Sequence, residues 1–138
     1  MVDSRSIRIN TRGNCDIIDI TSQVAKELNE SEIVSGIVTV FAVGSTAGIS
    51  TIEHEPGLLS DLKSMWDRLV PVNMDYRHNQ AWGDGNGHSH VRSSLLGASL
   101  TVPFTRKRMA LGTWQQIVYI DFDNRSRSRE IVLQIIGE

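Results

Sequence analysis

Three of the four histidines of this 138-residue chain lie in one segment, at His78, His88 and His90. The segment 72–90 shows no hydrophobic period and is rich in Gly, Asn and Asp, which predicts a long irregular loop. In an extended loop, side chains two residues apart point the same way, so His88 and His90 can reach one ion and His78 can add a third nitrogen. The segment therefore predicts a divalent metal site, for zinc or magnesium, and solvated loop histidines are the alternative.

The same segment carries residue types that bind phosphate. The sequence Gly-Asp-Gly-Asn-Gly at 83–87 allows backbone N–H groups to converge on an anion. Arg92 follows with a planar guanidinium, and Ser94 adds a hydroxyl donor. The spacing is not that of a P-loop, which requires G-x-x-x-x-G-K-[ST] after a strand. Arg92 is therefore predicted to anchor a phosphate group, whereas the basic run at 106–108 is more often a solvated hairpin tip.

Three further candidates lie outside this segment. Glu53 ends a strand-like pattern, and a carboxylate that is partly buried there would suit general acid–base catalysis. The alternative for Glu53 is an edge-strand charge that faces solvent. Trp114 is predicted to stack on a heteroaromatic ring while Gln115 hydrogen-bonds the edge of that ring. Equally, Trp114 would close the end of a β-sandwich.

Hydrophobic patterns indicate the elements that must position these residues. The alternation at 6–10 predicts a strand, and 15–20 is its predicted hairpin partner. The apolar run at 36–43 predicts a central strand that is buried on both faces. After Pro56, apolar residues repeat with a helical period as far as Leu69. Further strands are predicted at 49–54, 99–104, 110–111, 117–123 and 130–136, with a short helix after Thr21 or Ser22 and a helical turn at 91–96.

Strands outnumber helices in this pattern, and the short connections near the C-terminus favour antiparallel pairing. We therefore predict an α+β fold with mostly antiparallel, sandwich-like β-sheets and two or three helices. The length fits one domain spanning 1–138.

Composition excludes several classes of function. A net charge of −2 and few basic residues argue against a nucleic-acid-binding protein. No apolar stretch approaches the length of a membrane span or of a signal peptide, so neither a membrane partner nor secretion is expected. The single cysteine, Cys15, has no partner for an internal disulfide, which favours a cytoplasmic protein with a free buried thiol.

Three blocks of sequence carry a resemblance to a known family. They are STAGISTIEHEPGLLSDL at 45–62, GDGNGHSHVRSSLLGASLTVPF at 83–104 and LGTWQQIVYIDFDN at 111–124. Together they resemble the YjbQ-like family, whose assigned activity is that of a secondary thiamine-phosphate synthase. The resemblance extends over nearly the whole chain. It departs at Ser45, where many members have a histidine, and at Glu53-His54, where many have Asn-Glu.

The resemblance implies a mostly antiparallel α+β fold, a homotrimer and a phosphorylated small-molecule substrate. The implied reaction joins hydroxymethylpyrimidine diphosphate to a thiazole phosphate and releases pyrophosphate, as a main or a side activity. The alternative is a trimer that binds a metal or a phosphorylated ligand without turnover. His90, Arg92 and Glu53 are the predicted catalytic residues, and Ser94, Trp114 and Gln115 are predicted to bind the substrate.

Overall fold

The protein folds into eight strands and four helices, and the computed structural model describes every residue from Met1 to Glu138. The strands are β1 (Val2–Thr11), β2 (Asp16–Asp19), β3 (Gly36–Ala42), β4 (Ala47–Ile52), β5 (Ser99–Thr105), β6 (Arg108–Met109), β7 (Gln116–Asp121) and β8 (Arg127–Gly137). The helices are α1 (Thr21–Glu30), α2 (Pro56–Leu69), α3 (Arg77–Trp82) and α4 (Gly87–Leu96). The predicted α+β class is confirmed, with one helix more than expected.

Two antiparallel sheets organise the strands. The larger has the order β1-β8-β3-β5-β6, and the smaller has the order β2-β7-β4. The predicted hairpin between the first two strands is wrong, because β1 pairs with β8 and β2 pairs with β7. The turn at 12–15 carries the chain from one sheet to the other. The predicted strand at 110–111 is also displaced, since β6 ends at Met109.

The two sheets pack face to face around the main core. Val40, Leu133 and Ile135 of the large sheet belong to the same buried cluster as Ile49 and Tyr119 of the small sheet. Each is at most 2% exposed. Burying an aliphatic side chain of this size stabilises the fold by about 1.5–3 kcal/mol, so this cluster is a main source of stability.

Helix α2 covers the other face of the small sheet. Trp66 of this helix and Val70, the residue after it, are buried with Ile120 and Phe122. The rings of Trp66 and Phe122 meet edge to face with centroids 4.9 Å apart. The helical stripe read from the sequence is thereby confirmed. The layers run from the large sheet through the small sheet to α2. None of the four helices has the length and apolar character needed to cross a membrane.

No layer covers the outer face of the large sheet. The prediction that β3 is buried on both faces is wrong, since Ile37 is 40% exposed and Phe41 is 44% exposed. Val38 and Val40, on the other face of the same strand, are completely buried. A continuous apolar run therefore marks a strand whose second face is uncovered in the single chain.

The predicted loop at 72–90 instead contains α3 and the first turn of α4. Gly83 ends α3 in the left-handed region with φ 71°. The side chain of Asn79 in α3 accepts a hydrogen bond from the Gly87 N–H at 2.8 Å, which ties the two helices together. Both helices are short and polar, so they lack the apolar period by which longer helices are predicted.

Candidate functional site

Helix α4 carries half of the predicted site residues, on two opposite faces. Residues two apart in an α-helix are separated by about 200° around the axis, whereas residues four apart share a face. His88 and Arg92 therefore share the buried face, and His90 and Ser94 share a face that is partly open to solvent. The prediction that His88 and His90 point the same way is wrong, because the segment is helical rather than extended.

The outer face of α4 brings His90 against His78 of α3. Their ring centroids lie 4.4 Å apart and the ring planes are tilted by 43°. The Nδ1 atom of His78 has no hydrogen-bond partner, and the Oδ1 atom of Asp84 lies 3.7 Å from it. The indole of Trp82, the last residue of α3, is exposed. The outer face of α4 therefore presents two adjacent imidazole rings.

The inner face of α4 holds the Arg92 guanidinium, which is engaged inside the protein. Its Nε donates to the Val70 carbonyl oxygen at 2.9 Å, just after the end of α2, and its Nη2 donates to the Asp67 carboxylate at 3.3 Å. The Cζ atom lies 5.9 Å from the centroid of the Phe122 ring, within cation–π range. Arg92 therefore fixes α4 to α2, and Nη1 remains free of intramolecular hydrogen bonds.

His88 is buried on the same face as Arg92, and its neighbours fix its tautomer. Ser89 donates its only hydroxyl hydrogen to the Phe122 carbonyl oxygen at 2.5 Å, so Ser89 Oγ accepts from His88 Nε2 at 3.2 Å. The neutral ring thus carries its hydrogen on Nε2, and its Nδ1 has a lone pair but no partner. Burial and the Arg92 charge lower the pKa of His88 below 6.5, against an opposing effect of Asp123.

The three predicted metal-ligating histidines do not meet at one point. His78 and His90 pair on the outer side of α4, whereas the His88 ring packs inside, with its centroid 6.4 Å from that of Tyr76. No group of three or more His, Cys, Asp or Glu side chains is placed to hold a metal ion. One chain therefore offers at most the His78–His90 pair, which supplies two of the four ligands of a tetrahedral zinc site.

Two predicted residues near this site are exposed. Glu53 lies just beyond the end of β4, and of its two interpretations the solvent-facing charge is the one the structure supports. Ser94 donates to the carbonyl oxygen of His90 at 2.9 Å, one turn earlier in α4. Neither side chain is hydrogen-bonded to Arg92, and their catalytic and substrate-binding roles stay predictions.

Trp114 and Gln115 lie in the turn before β7. Trp114 is 71% exposed and so does not close the end of the sandwich. Gln115 fixes the turn, because its Oε1 accepts from the Gly112 N–H at 3.0 Å and its Nε2 donates to Thr51 Oγ1 at 3.0 Å. The basic run at 106–108 forms a tight hairpin tip that begins with Arg106 at φ 51°.

Two positions at which the chain departs from the family pattern, Ser45 and His54, form no hydrogen bond with the histidine pair. Ser45 is exposed in the turn between β3 and β4. His54 contacts the carbonyl oxygen of Ile17 through Nε2 at 3.1 Å. His54 therefore packs beside β2, and it does not join His78 or His90.

A buried ion network at the end of β7 was missed by the sequence analysis. Asp121 is fully buried and receives two hydrogen bonds from Arg129, at 2.7 and 2.9 Å, and one from Thr11 at 2.5 Å. Asp123 receives two from Arg127, at 3.1 and 2.9 Å, and one from Thr46 at 3.0 Å. The alternation Asp121-x-Asp123 followed by Arg127-x-Arg129 is the signal that could have found it.

This ion network also contacts the residue that precedes α4. The side-chain Nδ2 of Asn86, the residue before α4, donates to Asp123 Oδ1 at 3.3 Å. Burial alone would raise the pKa of Asp123, but the hydrogen bonds from Asn124, Asn86 and Thr46 and the Arg127 charge outweigh it, so the pKa is lowered. Asp123 is therefore ionised at neutral pH and holds the start of α4 in place.

The comparisons with known proteins agree over nearly the whole chain. The sequence profile described as "UPF0047 protein YjbQ-like" matches residues 5–138. A UPF0047 protein of Methanothermobacter thermautotrophicus is 41% identical over 137 residues, covering 99% of this chain and 94% of its own. The UPF0047 protein YugU of Bacillus subtilis is 31% identical over 134 residues, covering 96% of this chain and 98% of its own.

Solved structures show the same fold. A YbjQ-like protein of unknown function from Sulfolobus solfataricus superposes with a TM-score of 0.94 at 32% identity, covering 100% of this chain and 99% of its own. A hypothetical protein from Aeropyrum pernix K1 gives a TM-score of 0.91 at 29% identity, covering 99% of each chain. The architecture of two sheets and covering helices is therefore shared with these proteins.

Proposed function

Since this chain belongs to the UPF0047 YjbQ-like family, we propose that it is a transferase of the secondary thiamine-phosphate synthase type. Its substrates would be hydroxymethylpyrimidine diphosphate and a thiazole phosphate, and its products thiamine phosphate and pyrophosphate. The single observation that carries the proposal is the pairing of His78 with His90 on the open side of α4, with ring centroids 4.4 Å apart.

The reaction makes one bond and breaks one bond. The thiazole nitrogen attacks the methylene carbon of the pyrimidine, and the bond between that carbon and the ester oxygen of the diphosphate breaks. The oxygen that leaves is the ester oxygen between the methylene carbon and the first phosphorus, and the P–O–P bridge stays intact. The electron pair of the broken C–O bond leaves with pyrophosphate, so stabilising the leaving oxyanions lowers the barrier. An imidazole N–H of the His78–His90 pair donates a hydrogen bond to those oxyanions. The Oδ1 atom of Asp84 lies 3.7 Å from His78 Nδ1, beside the pair.

Substrate binding draws on groups on the outer surface. The indole of Trp114 is 71% exposed and offers a face on which the pyrimidine ring can stack. Gln115 holds the turn that presents it. Ser94 lies one turn after His90 on the same face of α4 and adds a hydroxyl group, while Arg92 acts by positioning α4 from beneath.

The test is formation of thiamine phosphate by the purified protein from the two substrates, followed by oxidation to a fluorescent thiochrome. We expect His90→Ala and His78→Ala each to lower the rate by about 100-fold, the lower range for a general acid. His54→Ala is the matched control, because His54 lies beside β2 and away from the pair. Absence of product with the wild-type protein, or wild-type rates in both pair variants, would refute the proposal.

A second candidate is a protein that binds a metal or a phosphorylated ligand without turnover. The proximity of His78 and His90 supports it, because two imidazoles can provide part of a coordination shell. One chain supplies no third ligand, so no step of the proposed reaction is assigned to a metal. Elemental analysis of the wild type and of the His78→Ala/His90→Ala variant tests the metal-binding form, which requires stoichiometric metal that the variant loses. In either form, this candidate requires that no product is made from the thiamine precursors.

We further propose that the chain assembles as a homotrimer through the uncovered face of the large sheet. Four apolar side chains form a row across four paired strands there: Pro103, Ile37, Ile136 and Val2. Ile37, Ile136 and Val2 are 40%, 46% and 63% exposed. A contiguous apolar row on a sheet face favours burial against another protein surface.

A reducing cytoplasmic location suits the free, buried thiol of Cys15.

A further inference from the structure

A cleft lies on the opposite side of α4 from the His78–His90 pair. It consists of two adjoining cavities of about 240 and 200 Å³, between the turn at 12–16 and helix α2. The cavities share three lining residues, Asn14, Cys15 and Lys63. His88 and Arg92 also line the smaller cavity. The buried pair on the inner face of α4 therefore belongs to a concave site that the proposed transferase reaction does not use.

The charges of the cleft favour an anion. Arg12 and Lys63 line it and neither side chain forms an ion pair or hydrogen bond, whereas Arg92 keeps Nη1 free. Two carboxylates, Asp16 and Asp67, also line it, but Asp16 accepts the backbone N–H of Arg12 at 2.9 Å and Asp67 is engaged by Arg92. Three cationic residues thus line the cleft, in a chain whose net charge is −2.

The backbone beside the cleft is held in an uncommon conformation. Gly13, Asn14 and Cys15 have φ angles of 76°, 54° and 64°, and left-handed conformations are rare for residues other than glycine. The N–H of Asn14 donates to the carbonyl oxygen of Asp123 at 2.6 Å, which anchors the turn to the end of the small sheet. The lining of the cleft is therefore fixed before any ligand arrives, and such strain is commonly found at binding sites.

His88 adds one requirement to the ligand. Its Nε2–H is committed to Ser89, so its unpartnered Nδ1 can only accept a hydrogen bond when the ring is neutral. The thiol of Cys15 is kept protonated, because burial raises its pKa. A ligand that satisfies both the cations and His88 must present several acceptor oxygens and at least one hydrogen. Hydrogen phosphate has this combination at neutral pH, whereas sulfate has no hydrogen.

We propose that this cleft binds a phosphate group that carries a hydrogen on one of its oxygens. Above neutral pH, inorganic phosphate still carries such a hydrogen. Arg92 Nη1, Lys63 and Arg12 bind its oxygens, and its hydroxyl group donates to His88 Nδ1. The site does not depend on the proposed transferase reaction, because the His78–His90 pair lies on the opposite face of α4. A phosphate monoester, whose second pKa is about 6, loses its hydrogen at pH 7.5 and binds there like sulfate.

The experiment is isothermal titration of the wild-type protein at pH 7.5 and constant ionic strength with inorganic phosphate, sulfate and glycerol phosphate. We expect one saturable phosphate site per chain, with affinity about tenfold higher than for sulfate or glycerol phosphate, the value of one hydrogen bond to a charged group. Lowering the pH to 5.5 should bring glycerol phosphate close to inorganic phosphate. Neither arm requires thiamine precursors or turnover.

Two sets of variants locate the site. Lys63→Gln, at an exposed position of α2, should weaken phosphate binding by about tenfold, and Arg106→Gln, in the distant hairpin tip, should not. The second set is His88→Asn and His88→Leu, whose new side chains are nearly isosteric with each other. Both variants lose the hydrogen bond to Ser89, but only Asn offers an acceptor near the Nδ1 position. We expect Leu to abolish the preference for phosphate over sulfate and Asn to retain most of it.

Three results would overturn the assignment. Absence of saturable phosphate binding removes the site. An equal loss of affinity in Lys63→Gln and Arg106→Gln shows that the anion binds elsewhere or without specificity. Equal affinities for phosphate and sulfate in the wild type remove the role of His88 as acceptor and with it the proposed ligand class.

Discussion

Asn86 donates from Nδ2 to the Oδ1 atom of Asp123 at 3.3 Å, and this hydrogen bond joins the start of α4 to the buried ion network. His88, two residues later, and the turn residue Asn14 are both positioned from the same place, since Asn14 donates to the Asp123 backbone oxygen at 2.6 Å. The ion network at the end of β7 therefore positions both the start of α4 and the turn at 12–15.

Removing one charge of this network should be strongly destabilising. Asp121 is fully buried and binds Arg129 through both carboxylate oxygens. Asp121→Asn leaves the buried guanidinium with only the more distant Asp123 carboxylate, 3.7 Å from Nη2. We expect a loss of about 3–5 kcal/mol in the free energy of unfolding. Urea denaturation measures it, and Asp61→Asn at an exposed position of α2 is the control. A loss below about 1 kcal/mol would show that the pair contributes little.

The lowered pKa of His88 predicts how stability depends on pH. The unfolded chain takes up a proton at this ring near pH 6.5, whereas the folded chain takes it up only at lower pH. The unfolded state thus binds more protons in that window, and the free energy of unfolding falls as the pH drops below 6.5, by at most about 1.4 kcal/mol per pH unit. Urea midpoints at pH 7.5 and 5.5 measure the effect, which should shrink in His88→Asn. An unchanged pH dependence in that variant would contradict it.

The beginning of α2 should depend on Glu55. Its carboxylate accepts the N–H groups of Gly57 and Leu58, both at 2.8 Å, and these hydrogen bonds lower its pKa. Glu55→Ala should therefore lower the melting temperature, because two N–H groups of the first turn lose their partner. Glu53→Ala is the matched control, since that exposed carboxylate makes no such bonds. Equal melting temperatures of the two variants would count against the cap.

A charge on the uncovered sheet face should prevent assembly. Phe41 lies on the same outer face as Ile37 and is 44% exposed, so Phe41→Lys places an ammonium group at the proposed interface. We expect light scattering after size exclusion to give a trimer mass for the wild type and a monomer mass for this variant. Leu69→Lys, an exposed apolar position on α2, should stay trimeric. A monomeric wild type would end the trimer proposal.

The fold was largely predictable where hydrophobic periods are long. The stripe after Pro56 predicted α2, and alternation predicted β1 and β4, because burial of one face decides these elements locally. Strand pairing was not predictable in the same way. The turn at 12–15 looks like a hairpin connection in sequence, yet β2 pairs with β7, more than 90 residues later, because long-range packing and not turn chemistry sets its partner.

The candidate site was predicted in composition but not in geometry. The histidines, Arg92 and the glycines were found because their residue types are chemically conspicuous. These residues lie on two faces because the segment is helical. The helix is polar, so its sequence shows no helical repeat of apolar residues that would have predicted it. Asp121 and Asp123 were missed because their burial depends on a long-range contact: Arg129, which binds Asp121, lies on β8 of the other sheet.

The helical arrangement of α4 constrains how this segment can vary. The turn at 83–86 tolerates a change of residue wherever the left-handed φ of Gly83 and Gly85 is respected. Insertion or deletion of one residue there would rotate the helix by about 100° relative to its anchor, or else break the Asn86–Asp123 bond. Either outcome would displace the inner and outer histidines together. The length of this turn is therefore more strictly determined than its composition, and a change in that length affects both sites at once.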